Sequence, residues 1–266
     1  LGCNISDISS VKAPEVVYKD LDSIQTDGKL KALINYSHTS YFLYKGNPMG
    51  FEYELLKNYA KHIGVELEVI PIQNMDSIFV ELNKGNGDVV AANLTITQER
   101  LRHVDFTYPV LVTQQVLVQR KPENWKTLSK KKLKDSLIQS PLDLAGKQLV
   151  VREGSSFYTR LKNLSNEIGA PIKIKTVPGE HTMETLIEQV ANGEIDYTVA
   201  DKNIAKVSGW QYPNLDADVT LSLDQKIAWA TRSNSDSLTQ SIDEWLVEFT
   251  KTVSYTHLTL PTKVTV

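Results

Sequence analysis

At 266 residues the chain is long enough for one large domain or for two lobes that each bury a core of their own. A formal net charge of -3 argues against a dedicated nucleic-acid binder, and no apolar run approaches the ~20 residues that span a bilayer. With one cysteine, no internal disulfide can form.

The chain opens on Leu1-Gly2-Cys3, where a small residue precedes a cysteine as at the end of a bacterial lipoprotein signal, and Ser6 to Pro14 follows as a polar tether. Residues 1–28 therefore read as leader and tether, with Cys3 as a lipidation site; an incidental or buried thiol is the alternative. Leu30 to Asn35 reads as a first strand. Gly50 to Leu56 opens an amphipathic helix that runs to about His62, where Gly64 stops it. Val65 to Pro71 alternates and is rich in β-branched residues, as a strand requires, and Ser77 to Lys84 carries Ile78, Phe79 and Leu82 at helical spacing.

Asp88 to Ala92 is a short apolar run behind Gly85 and Gly87, the pattern of a parallel strand covered on both faces in a parallel, doubly wound sheet, and it ends in the polar residues Asn93, Thr95 and Thr97. In an open α/β sheet, ligands bind just past the carboxyl ends of such strands. Thr97 as an N-cap places Arg100 and Arg102 in the first turn of a helix, beside unpaired backbone N–H groups, so an anion is the natural guest. The helix dipole disfavours a cation there, which makes Arg100 hard to explain without a negative partner. An ordinary strand and helix with surface arginines is the alternative.

Thr113 to Arg120 leaves this unit as an extended run, and Lys126 to Lys134 (KTLSKKKLK) is a basic block, read as solvated surface or as a contact to an acidic membrane or the cell-wall polymer. The strand–helix alternation then repeats. Gly146 to Val151 is a strand, Gly154-Ser155-Ser156 a turn, Phe157 to Ile168 a helix, Ile172 to Val177 a strand and Met183 to Asn192 a helix, ahead of the strand ending at Asp201. Gln225 to Thr231 is a second extended run, and Ser237 to Thr250 a helix with Leu238, Ile242, Trp245, Leu246 and Phe249 on its apolar side. Two runs linking two α/β units make a hinge, with residues 29–117 and 226–252 as the first lobe and 118–225 as the second. Ser254 to Val266 has no acid and a threonine at every third position from Thr256 to Thr265, so 253–266 reads as a non-native tail.

The segments GNPMGFEYELL (Gly46–Leu56), QQVLVQRKP (Gln114–Pro122), PLDLAGK (Pro141–Lys147), REGSSF (Arg152–Phe157), GEIDYTVAD (Gly193–Asp201) and ATR (Ala230–Arg232) stand in an order that resembles the extracellular solute-binding proteins of family 3. Within them it is similar to the N-terminal domains of membrane-bound lytic murein transglycosylases. The resemblance covers about Lys29 to Thr252. It implies the type II periplasmic-binding-protein fold, α/β with two doubly wound lobes joined by two hinge strands, in a periplasmic, lipid-anchored monomer.

It also implies a site. The arginine of the family's T-x-x-R turn, which grips a ligand carboxylate, falls on Arg100; the polar strand end falls on Asn93 and Thr95; the second lobe's helix-start turn falls on Ser155 and Ser156. Asp201 would accept from a ligand ammonium, and Tyr41 takes the place of an aromatic wall. The alternatives are that Asp201, Ser155 and Ser156 cap helices and that Tyr41 is core. Arg102 and Arg152 read as surface ion-pair residues. The implied ligand is a small zwitterion or a cell-wall peptide fragment, and the implied role is a sensor that regulates a transglycosylase. A lipid-anchored amino-acid receptor of a transporter is the alternative, and a cleft enzyme such as a dehydratase a more remote one. The chain contains no Glu-Ser pair of the transglycosylase motif and no G-x-S-x-G, H-E-x-x-H, C-x-x-C or Walker phosphate loop; nor do its histidines have the paired spacing of metal ligands. No cofactor is implied.

Overall fold

The computed structural model describes residues 16–37 and 39–251. From Val17 to Gly28 the tether reading gives way. The Val17 N–H donates to the Asn83 carbonyl, and Asp20 caps helix α1 (Leu21–Asp27) while also accepting from the Leu238 N–H. The segment is thus built into the first lobe, because its backbone groups find partners there. Cys3 lies outside the described residues, as does the 253–266 tail.

Strand β1 (Lys29–Asn35) leads through a hairpin, β2 (Phe42–Tyr44) and β3 (Asn47–Met49), to helix α2 (Phe51–His62). Gly50 caps α2 at φ 134°, and a Cβ there would collide with the Ser40 carbonyl, so only glycine lets the 37–41 loop lie on the helix start. Then come β4 (Glu66–Ile72), α3 (Ile78–Asn83), β5 (Val89–Thr95), β6 (Asp105–Phe106) and β7 (Leu111–Thr113). The helix expected after Thr97 is a single 3-10 turn, Arg100–Arg102, although the Arg100 N–H does donate to the Thr97 hydroxyl.

The chain crosses at Gln114 to β8 (Gln115–Arg120), all of which pairs within the second sheet, so the lobes part ahead of the boundary expected at residue 117. The basic block forms a mostly exposed segment with a short helix, α4 (Lys130–Asp135). The second lobe continues with β9 (Gln148–Arg152), α5 (Ser156–Glu167), β10 (Lys173–Val177), α6 (Met183–Asn192), β11 (Tyr197–Asp201), α7 (Lys202–Gln211) and β12 (Leu215–Asp216). The return strand β13 (Gln225–Thr231) pairs with β7, and α8 (Asp236–Phe249) closes the first lobe.

The first sheet runs β4-β1-β5-β13-β6, the second β10-β9-β11-β8-β12. β1 is parallel to β4 and β5, and β9 to β10 and β11, but β13 and β8 run antiparallel to their neighbours. Alternating apolar residues do not distinguish the two directions; the inserted strands are antiparallel because they enter each sheet from the opposite lobe.

Each sheet is covered on both faces. On β1, Ala32 and Ile34 join Trp229, Ile242 and Leu246 in one cluster, while Leu33 packs with Ile78, Leu82 and Val90 on the other side. Helix α8 holds its face with a stack in which Trp245 lies 6.5 Å from Trp229 and 4.7 Å from Phe249, ring to ring. The second lobe repeats the plan, with Leu149, Val151 and Leu161 on one face and Val116, Val118, Ile187 and Ile204 on the other.

Candidate functional site

The carboxyl ends of β1, β4, β5, β9 and β11 all open on one cavity of about 380 Å³ between the lobes. Its wall includes Asn93, Thr95 and Arg100 from the first lobe and Ser155, Ser156 and Asp201 from the second, six of the seven residues expected to form a ligand site.

Asn93 is placed by an irregularity in β5. Its φ is 52°, the left-handed region that asparagine tolerates better than most, and the β5–β13 register shifts between Ala228 and Ala230. Glu52, 2% exposed, accepts from the Asn93 N–H at 3.3 Å and from the Trp229 indole N–H at 2.5 Å. Burial raises the Glu52 pKa, opposed by these two bonds. A buried carboxyl thus ties the return strand to the bulged residue, and Asn93 is left to point its amide across the cleft to Asp201 Oδ2 at 2.7 Å.

Asp201 is 1% exposed and ends β11. It makes no side-chain cap on α7, and its Oδ1 is buried with no hydrogen-bond partner. Burial pushes its pKa up to about 7, with Glu184 adding to the rise and the Asn93 bond and Arg100 opposing it. Asn35 Oδ1, on the same cavity, is a second buried acceptor with no partner. Two such atoms suit a ligand that brings N–H donors.

Arg100 donates one guanidinium N–H to the Thr95 carbonyl at 2.8 Å, which fixes the fork in the cavity wall. Burial and then the nearby Arg152 charge lower its pKa to about 10, so it stays protonated at neutral pH. Thr95 Oγ1 meets Ser156 Oγ at 3.2 Å across the cleft, and Gln115 Nε2 donates to the same Ser156 oxygen at 3.1 Å. The Ser155 hydroxyl is spent as a cap: it donates to the Arg152 carbonyl and accepts from the Tyr158 N–H. Elsewhere the lobes meet through Met75 N–H to the Gly179 carbonyl at 3.3 Å and Thr39 Oγ1 to Glu184 at 3.5 Å.

Two expectations need correcting. Tyr41 does not line the cavity; its ring packs on the first-lobe core between Tyr36 and Tyr53, and the wall aromatic is Tyr36. Arg152 is not a surface residue but lines the cleft at the end of β9, and burial lowers its pKa. Arg102 is exposed, as expected, but among the described residues it makes no ion pair within 4.0 Å. Sequence reasoning passed over Glu184 as well, although it stands in the first turn of α6 behind the Thr182 cap. Among the described residues no cluster of His, Cys, Asp and Glu is able to hold a metal, and no helix is long and apolar enough to cross a membrane.

The family profile of bacterial extracellular solute-binding proteins, family 3, matches residues 30–260. The chain is 34% identical over 241 residues to membrane-bound lytic murein transglycosylase F of Desulfosudis oleivorans, a match covering 90% of this chain and 50% of that protein. To the same-named protein of Saccharophagus degradans it is 32% identical over 219 residues, covering 82% and 40%. The chain therefore spans about half the length of these curated relatives or less. Among solved structures, an ancestral arginine-binding protein bound to arginine superposes with a TM-score of 0.71 at 27% identity, covering 87% of this chain and 96% of that one. ArgBP from T. maritima, in a mutant form, gives 0.73 at 24% identity over 90% and 96%, a likeness of fold.

Proposed function

The chain belongs to the bacterial extracellular solute-binding proteins of family 3, and we propose that it is a receptor module whose two lobes close on a small carboxylate-bearing ligand of the amino-acid type. The observation that carries this reading is the meeting of Asn93 and Asp201 from opposite lobes, 2.7 Å apart, in the cavity that Arg100 faces. The planar fork of Arg100 takes the carboxylate in a bidentate grip, helped by Ser156 and the free N–H groups at the start of α5. Asp201 and Asn35 accept from the ammonium. Ligand pockets run from about 300 to 1,000 Å³, and a cavity near the lower end suits a single amino acid better than an extended peptide.

The mechanism is a population shift: ligand settles on one lobe, closure adds contacts from the other, and the gain is limited by the difference in affinity between open and closed states. Likeness to the transglycosylases extends the reading. In a protein of that kind this module would sense a cell-wall-derived amino acid or fragment and regulate glycan cleavage by the remaining half, held at the membrane through Cys3. Native mass spectrometry of the purified chain tests the core of the reading, with a retained mass in the amino-acid range as the expected result. The absence of any retained mass, together with no calorimetric binding of any proteinogenic amino acid, overturns it.

A further inference from the structure

The cavity holds two arginines, and one guanidinium is enough for one carboxylate. Arg100 is already fixed by its bond to the Thr95 carbonyl. Arg152 stands on the opposite lobe at the end of β9 and lines the same cavity, and among the described residues it makes no side-chain hydrogen bond and no ion pair within 4.0 Å. None of the acids on the cavity wall pairs with it: Asp201 accepts from Asn93 through one oxygen, Glu184 from Thr39 and Glu180 from Asn74. Asp76 is close enough to favour the charged form of Arg152 but makes no ion pair with it. The Arg152 charge also disfavours the charged form of Arg100 across the cleft. A half-buried cation facing a second cation, with no anion of its own, is a local conflict of the kind that a ligand resolves.

We propose that Arg152 forms a second anion subsite and that the ligand carries two anionic groups, an amino acid with an acidic side chain. Its α-carboxylate sits on Arg100, its ammonium on Asp201 and its distal carboxylate on Arg152. This rests on the reading of the cleft as an amino-acid receptor, and it narrows that reading from a class of ligands to the acidic ones.

Calorimetric titration of the whole chain with the D and L forms of aspartate, glutamate, asparagine and glutamine tests it. Each acid and its amide differ by little except the distal charge. At least one acid is expected to bind roughly tenfold or more tighter than its own amide, the usual effect of one charge-assisted contact. Arg152→Gln should bring the ratio of acid to amide affinity close to one, and Arg152→Lys should restore part of it. If an amide binds as tightly as its acid, or if Arg152→Gln leaves the preference intact, the subsite is overturned and the receptor reading stands. If none of the eight compounds binds while another neutral or basic amino acid does, the subsite again fails alone; if no amino acid binds, both fail.

Discussion

Asn93 donates its side-chain amide to Asp201 across the cleft at 2.7 Å, on the carboxylate that a ligand ammonium would need. In this geometry burial holds the Asp201 pKa at about 7, raised from its ordinary 3.8. A raised pKa means that the bound proton's contribution to the stability of the fold is fully present below about 3.8, and is lost as pH rises through about 7. An ammonium has the opposite preference, since it requires the carboxylate. Binding of an amino acid is therefore expected to release up to about one proton below pH 7 and to tighten as pH rises to that value, then level off. Calorimetry in buffers of different ionisation enthalpy reads the proton release directly. Asp201→Asn should abolish it and weaken amino acids more than their des-amino analogues; undiminished release would assign the proton to another group.

Arg100→Ala is expected to cost a carboxylate ligand about 1.5 to 3 kcal/mol, roughly ten- to a hundredfold in affinity, as for loss of a charged hydrogen bond. Among the described residues its guanidinium makes one hydrogen bond to protein, to the Thr95 carbonyl, on the cavity wall and not in a core cluster. The thermal midpoint of the ligand-free protein should therefore stay within a few degrees. Titration beside a melting curve separates the two effects, and unchanged affinity would remove Arg100 from the site.

How much of this could be read from the sequence follows from which forces are local. Helices α2, α5, α6 and α8 announce themselves by apolar spacing, and the last residues of β5 and β11 by the switch from apolar to polar at Asn93 and Asp201. Strand direction did not, because alternation is the same in parallel and antiparallel neighbours. Tyr41 and Tyr36 are five residues apart, and neither spacing nor residue type says that Tyr36 lines the cavity while Tyr41 bridges back to Ser37. The role of residues 16–20 was hidden because it depends on Asp88 and Arg232, far away in the chain. Arg152 was legible in principle: it ends a strand just before Gly154-Ser155-Ser156, where an α/β sheet puts its ligand residues.

Asp88 and Arg232 are both fully buried, 3.3 Å apart, and the same carboxylate accepts from the Lys31 N–H at 3.0 Å while Lys19 approaches it at 3.4 Å. Arg232 also donates to the carbonyls of Leu82, Gly87 and Lys19, so the cluster joins β1, β5, β13 and the 16–20 segment. Removing one member leaves a buried charge without its partner, which typically costs about 3 to 5 kcal/mol. Asp88→Ala is expected to lower stability by that order in urea unfolding, and a loss below about 1 kcal/mol would show that the cluster is readily rehydrated. Arg160 and Glu167 provide the contrast, an ion pair at 2.6 Å whose carboxylate side is half exposed. Glu167→Gln should change stability by less than about 1 kcal/mol.

Gly179 supplies the means to separate closure from binding. Its backbone lies outside the left-handed region, so a side chain costs the isolated second lobe little, yet a Cβ there would collide with Asn74 Oδ1 and the Asp76 carboxylate of the first lobe. Asn74 Oδ1 is not free to swing away, because it accepts from the Asp76 N–H at 2.9 Å and so caps the 3-10 turn Met75–Ser77. The Met75 N–H bond to the Gly179 carbonyl, at 3.3 Å, would be wedged apart as well. Gly179→Val is therefore expected to hold the lobes open without unfolding either one. The radius of gyration from small-angle scattering should stay at its open value when ligand is added, and affinity should fall roughly tenfold or more, because contacts from the second lobe are realised only on closure. Arg100 and Thr95 remain in place on the first lobe, so residual weak binding of carboxylates is the expected signature of a one-lobed encounter. A variant that still contracts on ligand and binds at full strength would show that the 73–77 and 178–182 loops pass each other without contact in the closed state, and that the cleft is closed by the Asn93 to Asp201 and Thr95 to Ser156 bonds alone.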